Sequence, residues 1–385
     1  MARALYIHWP FCLSKCPYCD FNSHVRAAVD ADEWRAALLA DMRHEAELAG
    51  GEKLTSIFFG GGTPSLMPPA LVGALLDEAQ RLWGFAPGIE ITLEANPTSI
   101  EAGNFAALAG AGINRVSLGI QALEDEALHF LGREHSVPEA LRALEIAQTQ
   151  FARVSFDLIY ARPNQTDAAW FAELERALAL GTEHLSLYQL TIEPGTRFAT
   201  EVRRGAFTPL DEEAAARLFA ATRARMAEAG LPAYEVSNHA HLGCESAHNL
   251  AYWHYRDFVG IGPGAHGRRG GVATVRHRKP ENFLGAIERN GQGIVEERPL
   301  PASEQFEEAV MMGLRLNEGI DPDALAVRLG VNAGDHLSSS RVALFEREGL
   351  LATDGARIAL TEDGMLLLDR IAAEILTPSP AEAPA

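Results

Sequence analysis

The chain has 385 residues, with 33 Lys and Arg against 52 Asp and Glu, for a formal net charge of −19. Acidic residues spread along its whole length create a field that repels phosphate backbones and anionic membranes, which argues against nucleic acid as a partner. A hydrophobic content of 47%, no signal-peptide pattern at the start and no run long enough to span a membrane fit a globular cytoplasmic protein with one large domain and a smaller one.

From Leu5 to about Ile192, short β-rich runs alternate with helical ones. The strand candidates are ALYIHW, TSIFFGG, EITLEANP, RVSLGIQ, RVSFDLIY and HLSLYQLTI. Helix starts are marked by capping-box spacing at Thr98–Glu101 and Ser136–Glu139, and by proline at the head of PPALVGALLDEAQRLW. Six βα repeats predict an α/β fold with a parallel sheet, wholly or partly closed as a (β/α) barrel. The expected divisions are a barrel core over 1–210, an extension over 211–300, a mainly helical, winged-helix-like domain over 301–375, and a disordered Pro/Ala-rich tail over 376–385. The winged-helix reading rests on LFEREGLLATDGARIALTEDGMLLLDRIAAEIL, which reads helix, two short strands, helix. Its many acids argue for a lid or partner surface rather than a DNA reader.

Three of the four cysteines, Cys12, Cys16 and Cys19, crowd into HWPFCLSKCPYCDFNSH just after the first strand. Thiolates at i, i+4 and i+7 can face one centre, which suits a soft metal or an iron–sulfur cluster. A closed zinc site needs a fourth protein ligand, for which His24, Cys244 and His248 are the candidates. Three thiolates alone suit a four-iron cubane with one iron left open to a small molecule.

Further chemistry sits where barrel strands would end. FFGGGTP places Gly60, Gly61 and Gly62 where backbone N–H groups could approach a ligand, with the Thr63 hydroxyl beside them; alone, this is also an ordinary tight turn. Glu94, Gln121 and Asp157 are polar residues inside or just after apolar strands, and Arg133 is suited to a ligand carboxylate. Each of these could equally serve a cap, an internal salt bridge or the surface. In CESAHNLAYWHY, His248, Asn249, Tyr252 and Trp253 read either as an imidazole ligand with flat packing partners or as a loop docked on the barrel by its aromatic rings.

The C-x3-C-x2-C spacing, with Tyr18 before the last cysteine, resembles the signature of the radical S-adenosylmethionine (SAM) superfamily. With GGGTP, LEANP, SLGIQ, GREH, DLIY and LSLYQLTIEPGT in order, the chain from about residue 3 to about 375 resembles the coproporphyrinogen III oxidase-like branch of that superfamily. The resemblance implies a [4Fe-4S] cluster on Cys12, Cys16 and Cys19, and SAM held by Tyr6, Tyr18, Gly61, Gly62, Thr63, Glu94, Gln121, Arg133 and Asp157. In the superfamily the open iron chelates SAM, and the reduced cluster releases methionine and a 5′-deoxyadenosyl radical.

The branch contains a catalytic dehydrogenase and a haem chaperone. The dehydrogenase carries an additional N-terminal segment and a fourth cysteine two residues after the third. Here the first strand starts almost at Met1, and Phe21 stands at the fourth position. H-N-x-x-Y-W at 248–253 is similar to a motif of the chaperone. These features imply a haem carrier, with haem on His248, Asn249, Tyr252 and Trp253, and as partners haem-acceptor proteins such as membrane-associated respiratory enzymes and a cluster-dependent dimer. The alternative is an oxygen-independent coproporphyrinogen III dehydrogenase, in which GIGPGAHG would line a second pocket. Cys244 is expected to be an ordinary buried thiol. Ala161 and Arg162 replace the glycine and leucine that the family has after DLIY, which puts the backbone there in question.

Overall fold

The computed structural model describes residues 4–26, 28–49 and 51–376, so the tail expected at 376–385 lies, apart from Leu376, outside the described residues. Fifteen strands occur among these residues: β1 (Ala4–Trp9), β2 (Phe11–Cys12), β3 (His24–Val25), β4 (Leu54–Gly61), β5 (Phe85–Ala95), β6 (Arg115–Gln121), β7 (Arg153–Tyr160), β8 (His184–Gln189), β9 (Asn238–Ala240), β10 (Phe258–Ile261), β11 (His266–Arg269), β12 (Val272–Arg276), β13 (Ile294–Pro299), β14 (Leu351–Asp354) and β15 (Arg357–Leu360). Eleven of them form one sheet in the order β13-β12-β11-β10-β1-β4-β5-β6-β7-β8-β9. The run from β10 through β1 to β8 is parallel, while β9 and the β11–β13 meander add antiparallel edges. The two end strands are unpaired with each other, so the (β/α) barrel is partial.

The strands alternate in the way that makes such a sheet two-faced. Leu5, Ile7 and Trp9 of β1, Ile57 and Phe59 of β4, Leu93 of β5, Val116 and Leu118 of β6 and Phe156 and Leu158 of β7 belong to one apolar core shared with the surrounding helices. The other parity is polar and faces the lumen: Glu94 lies in register with Ser117, and Ser117 with Ser155. Helix Ala31–Leu48, capped by the Asp30 carboxylate, buries Trp34, Ala37, Leu38 and Met42 at helical spacing. Its same face carries Asp41 and Glu45, buried against Arg276 and Arg269 of the meander. The capping box expected at Ser136–Glu139 is formed. At Thr98–Glu101 the cap forms, but the helix lasts only over Ser99–Ala102, ending at Gly103, and the Glu101 carboxylate accepts hydrogen bonds from Ser65 and the Asn96 N–H.

Beyond β13, helices Ala302–Gly313, Pro322–Leu329, Ser339–Arg347 and Leu368–Ile375 enclose a second apolar cluster around Phe306, Leu314, Ile371 and Ile375, with the β14–β15 hairpin as its wing. Arg223 of helix Glu212–Glu228 ties this unit to the barrel, donating to Glu362 at 2.7 Å, Asn317 at 2.7 Å and the Glu235 carbonyl at 3.0 Å. No helix among the described residues is long and apolar enough to cross a membrane.

Candidate functional site

The cysteine loop is held at its base. After β1, strand β2 pairs in parallel with β3, so Cys12 lies in register with Val25 and the 12–24 segment projects as a closed loop over the carboxyl ends of the barrel strands. His8 Nε2 at 2.9 Å from the Asn22 carbonyl and the Cys19 N–H to the Cys16 carbonyl fix its interior. Of the expected cluster and SAM residues, all but Tyr6 line a single cavity of about 170 Å³: the three cysteines, Tyr18, Gly61, Gly62, Thr63, Glu94, Gln121, Arg133 and Asp157. The Tyr6 hydroxyl instead bonds His8 Nδ1 at 2.9 Å and borders a neighbouring cavity. Burial, with the neighbouring thiols, pushes the Cys12 and Cys19 thiols up.

The glycine run differs from its expected role. The Gly61 N–H donates to Glu94 Oε2 at 3.1 Å, the Gly62 N–H to the Trp9 carbonyl at 2.7 Å and the Thr63 N–H to the Phe11 carbonyl at 2.8 Å. These amides are engaged within the fold and do not point at a ligand. Glycine is required by close approach: a Cβ at Gly61, whose φ is +115°, would lie 2.5 Å from the His8 ring, and one at Gly62 would lie 2.7 Å from the Phe11 carbonyl oxygen.

Arg133 links the walls of the cavity. Its Nη1 lies 3.1 Å from Cys16 Sγ, and its Nη2 donates to the Gly119 carbonyl at 3.0 Å and to Asn96 Oδ1. Its buried Nε–H has no partner among the described residues, leaving a donor for an incoming group. Asn96 also donates to Thr63 Oγ1 at 3.2 Å; the sequence reading passed over it, although it follows Glu94 at the two-residue spacing of one strand face. Glu94, buried beside Asp157, is pushed up to about 8 despite the Gly61 N–H. Burial pushes Asp157 up to about 6 against the hydroxyls of Ser186 and Ser117. Glu94 and Asp157 form no ion pair among the described residues, although the charges of Arg115 and Arg133 lower Asp157 against its burial. Gln121 takes a φ of +73°, turning the chain where β6 ends.

The further candidate zinc ligands are committed elsewhere. His24 Nε2 meets the Arg278 carbonyl at 3.3 Å, half-buried Cys244 lies 3.4 Å from Glu183, and His248 Nδ1 lies 3.2 Å from Ser56 Oγ. Ala161 adopts the left-handed backbone that a glycine would favour, with φ +56°, so the turn after β7 keeps its path. Arg162 is buried in an ion pair with Glu173 at 2.5 Å.

The 248–253 motif forms helix Ala247–Trp253, docked across the amino ends of the strands. The His248 N–H and Ser246 Oγ reach Glu90, which also pairs with Arg153 at 2.7 Å and Arg115 at 3.8 Å. His248 is 3% exposed, its ring 5.0 Å from Phe58 and 4.9 Å from Tyr252, and burial lowers it to about 3. The four side chains do not share a surface. Asn249 interacts with Tyr234, Tyr252 packs on Phe258, and Trp253 lies under the Arg315 guanidinium at 4.6 Å. The His248 ring is closed in by Phe58 and Tyr252, and its Nε2 is buried with no partner among the described residues.

A second cavity of about 370 Å³ adjoins the first, sharing Phe21, Gly61 and Glu94, with Tyr6, His8, Asn22, Tyr252, Phe258, Gly264, His266 and Arg278 completing its walls. Two residues of the glycine-rich GIGPGAHG run, Gly264 and His266, line it.

The family model of the radical SAM superfamily matches residues 6–177, and that of the HemN C-terminal domain matches 300–367. The heme chaperone HemW of Escherichia coli is 38% identical over 322 residues, covering 82% of this chain and 83% of that protein. The chain belongs to the HemW-like family of radical SAM proteins. A mitochondrial radical S-adenosyl methionine domain-containing protein 1 of Bos taurus is 37% identical, over 97% of this chain and 87% of that one. In fold, this HemW-like chain matches the coproporphyrinogen III oxidase HemN of Escherichia coli with a TM-score of 0.81 at 23% identity, over 96% of this chain and 89% of the other. The radical SAM family implies a [4Fe-4S] cluster and SAM, and the residues of the first cavity fit them: three thiols, an unpartnered guanidinium N–H and two carboxyl groups without an ion pair among the described residues border one space.

Proposed function

We propose that this protein is a haem carrier of the radical SAM family that binds haem and passes it to acceptor proteins such as respiratory enzymes, working in an aqueous compartment such as the cytoplasm. The observation that carries this reading is the 38% identity over most of its length to a protein named a heme chaperone. It is supported by the cysteine loop itself, where Phe21 stands 59% exposed in the place of a fourth thiol. Cys12, Cys16 and Cys19 would ligate the cluster, and Tyr18, Gly61, Gly62, Thr63, Glu94, Gln121, Arg133 and Asp157 would surround SAM, with Tyr6 beside Glu94 on the side of the second cavity. When bound, the reduced cluster and SAM supply a one-electron step at the sulfonium. Around them, Arg133 holds the Cys16 side of the loop against β6 and keeps its Nε–H for the ligand carboxylate. Glu94, once ionised, faces the ligand ammonium, with Asp157 behind it. A boundary near 300 is supported by the apolar cluster of the C-terminal helices, which the 211–300 segment joins through Phe219 and Val236; the boundary at 210 stays a proposal from the sequence.

The test is an optical haem titration of anaerobically reconstituted protein, run beside an incubation with SAM, reductant and coproporphyrinogen III. Stoichiometric haem binding, transfer to an apo-acceptor and no protoporphyrinogen are expected. Protoporphyrinogen formation would establish the dehydrogenase instead.

A further inference from the structure

The second cavity has a chemical character unlike the first. Its inner wall is aromatic, from Tyr6, Tyr252 and Phe258, and its rim carries the exposed Phe21 ring. Just outside, Val25 is 51% exposed, so apolar surface continues beyond the mouth. Such surface on a chain of net charge −19 calls for an apolar occupant.

Four imidazoles stand near this cavity: His248 lies behind the Tyr6 and Tyr252 rings, buried, with Nδ1 on Ser56 Oγ and Nε2 unpartnered among the described residues, and does not line it; of the other three, two are engaged. His8 is held between the Tyr6 hydroxyl and the Asn22 carbonyl, and His24 meets the Arg278 carbonyl. His266, first residue of β11, is exposed to the cavity and makes no side-chain hydrogen bond among the described residues. Burial, with Arg278 and Arg276 nearby, lowers its basicity, so it offers the neutral nitrogen that metal ligation needs. Arg278 reaches the same cavity, and its guanidinium has no ion pair among the described residues. The Asn22 amide donates to the Pro263 carbonyl at 2.9 Å and the Arg278 carbonyl at 3.0 Å, so both arms carrying these groups are tied to the cysteine loop three residues beyond Cys19.

An aromatic slot with one free neutral imidazole and one free guanidinium suits a flat, iron-bearing macrocycle with carboxylate substituents. We propose that haem, the cargo in the reading above on which this inference rests, enters this second cavity by one edge, with His266 as an axial ligand, Arg278 on a propionate and Phe21 against the ring. The arrangement puts the cargo beside the SAM cavity across Gly61 and Glu94, and not on His248, which stays in the barrel floor.

The experiment uses the full chain and two probes, ferric haem and metal-free protoporphyrin IX. The variants are His266→Ala, Arg278→Glu and His248→Gln. His266→Ala should weaken haem binding about tenfold or more and move the Soret band, with added imidazole restoring the band, while metal-free protoporphyrin binds as in wild type. Arg278→Glu should weaken both probes, and His248→Gln should keep the wild-type Soret position. An unchanged Soret band and affinity in His266→Ala, or their loss in His248→Gln alone, would overturn the assignment while leaving the carrier reading intact. Failure of the wild-type protein to bind haem would remove the carrier reading, and this site with it.

Discussion

Replacing Glu94 by Gln tests the proposed SAM site through its pH dependence. Glu94 is pushed up to about 8 by burial and by the charge of Asp157. A carboxyl with that pKa is ionised to about 0.3% at pH 5.5 and about 24% at pH 7.5. If the ligand ammonium pairs with the carboxylate, binding selects the ionised form, so the apparent dissociation constant should fall about 75-fold over that range, or about 2.5 kcal/mol. An α-amino group with a pKa near 8 loses about a quarter of its charge by pH 7.5, but it does so equally for both proteins, so this loss cancels in the comparison. Asp157, pushed up to about 6, also changes charge there, but it does so in Glu94→Gln as well. The difference between the two profiles therefore isolates Glu94. Calorimetry of reconstituted protein, in buffers of different ionisation enthalpy at pH 7, should show about 0.9 more protons released per SAM by wild type than by Glu94→Gln. Parallel profiles and equal proton release in the two proteins would refute the pairing.

Other outcomes follow from the same geometry. Cys16→Ala should reduce iron and sulfide after reconstitution to background while far-ultraviolet circular dichroism stays native, since Cys16 is half-buried and outside the apolar core. Arg133→Lys keeps the charge but not the fork that reaches Cys16, Asn96 and Gly119, and equilibrium binding should show SAM held about tenfold more weakly. Arg276→Ala leaves Asp41 and Glu45 buried without their shared cation, and chemical denaturation should show a loss of about 3–5 kcal/mol. Ala161→Gly relieves a φ of +56° and should raise stability by about 0.5–1 kcal/mol in the same assay; a loss of stability would show that the turn carries no strain.

The barrel strands were legible because each writes its two faces into the sequence. RVSLGIQ and RVSFDLIY alternate helix-facing Val116, Leu118, Val154 and Phe156 with lumen-facing Ser117, Ser155 and Asp157, and both strands occur at the expected bounds. The same alternation made Glu94, Gln121 and Asp157 visible as candidates before any placement. What stayed hidden depends on contacts made far along the chain. FVGI of β10 pairs with β1 across some 250 residues, Ala4 with Phe258, and nothing local announces that partner. Asn96 gains its role only when Arg133 arrives from beyond β6. His248 carries no sign in its own segment that Ser56 and Glu90 will receive it. Residue chemistry alone left open a docked aromatic loop, and docking is what the helix does at this end of the barrel.

The two ends of the lumen differ in charge pairing, and that difference explains why ligands are expected at one of them. Near the amino ends of the strands, Glu90 meets Arg115, Arg153 and the His248 N–H, and Arg153 also meets Glu183 at 2.5 Å. Buried charge there is neutralised within the fold, so the floor gains nothing from an added ion. Toward the carboxyl ends, Glu94 receives the Gly61 N–H and Asp157 is joined by serine hydroxyls, and both are pushed up. A guanidinium N–H nearby has no partner among the described residues. Carboxyl groups and an arginine this close could have been paired with each other, as they are at the floor. Kept apart on β5, β7 and the loop after β6, they leave acceptors for an ammonium and a donor for a carboxylate in one cavity with three thiols. An amino acid headgroup supplies both complements at once, which is why the mouth of the barrel, and not its equally polar floor, is the site that SAM would complete.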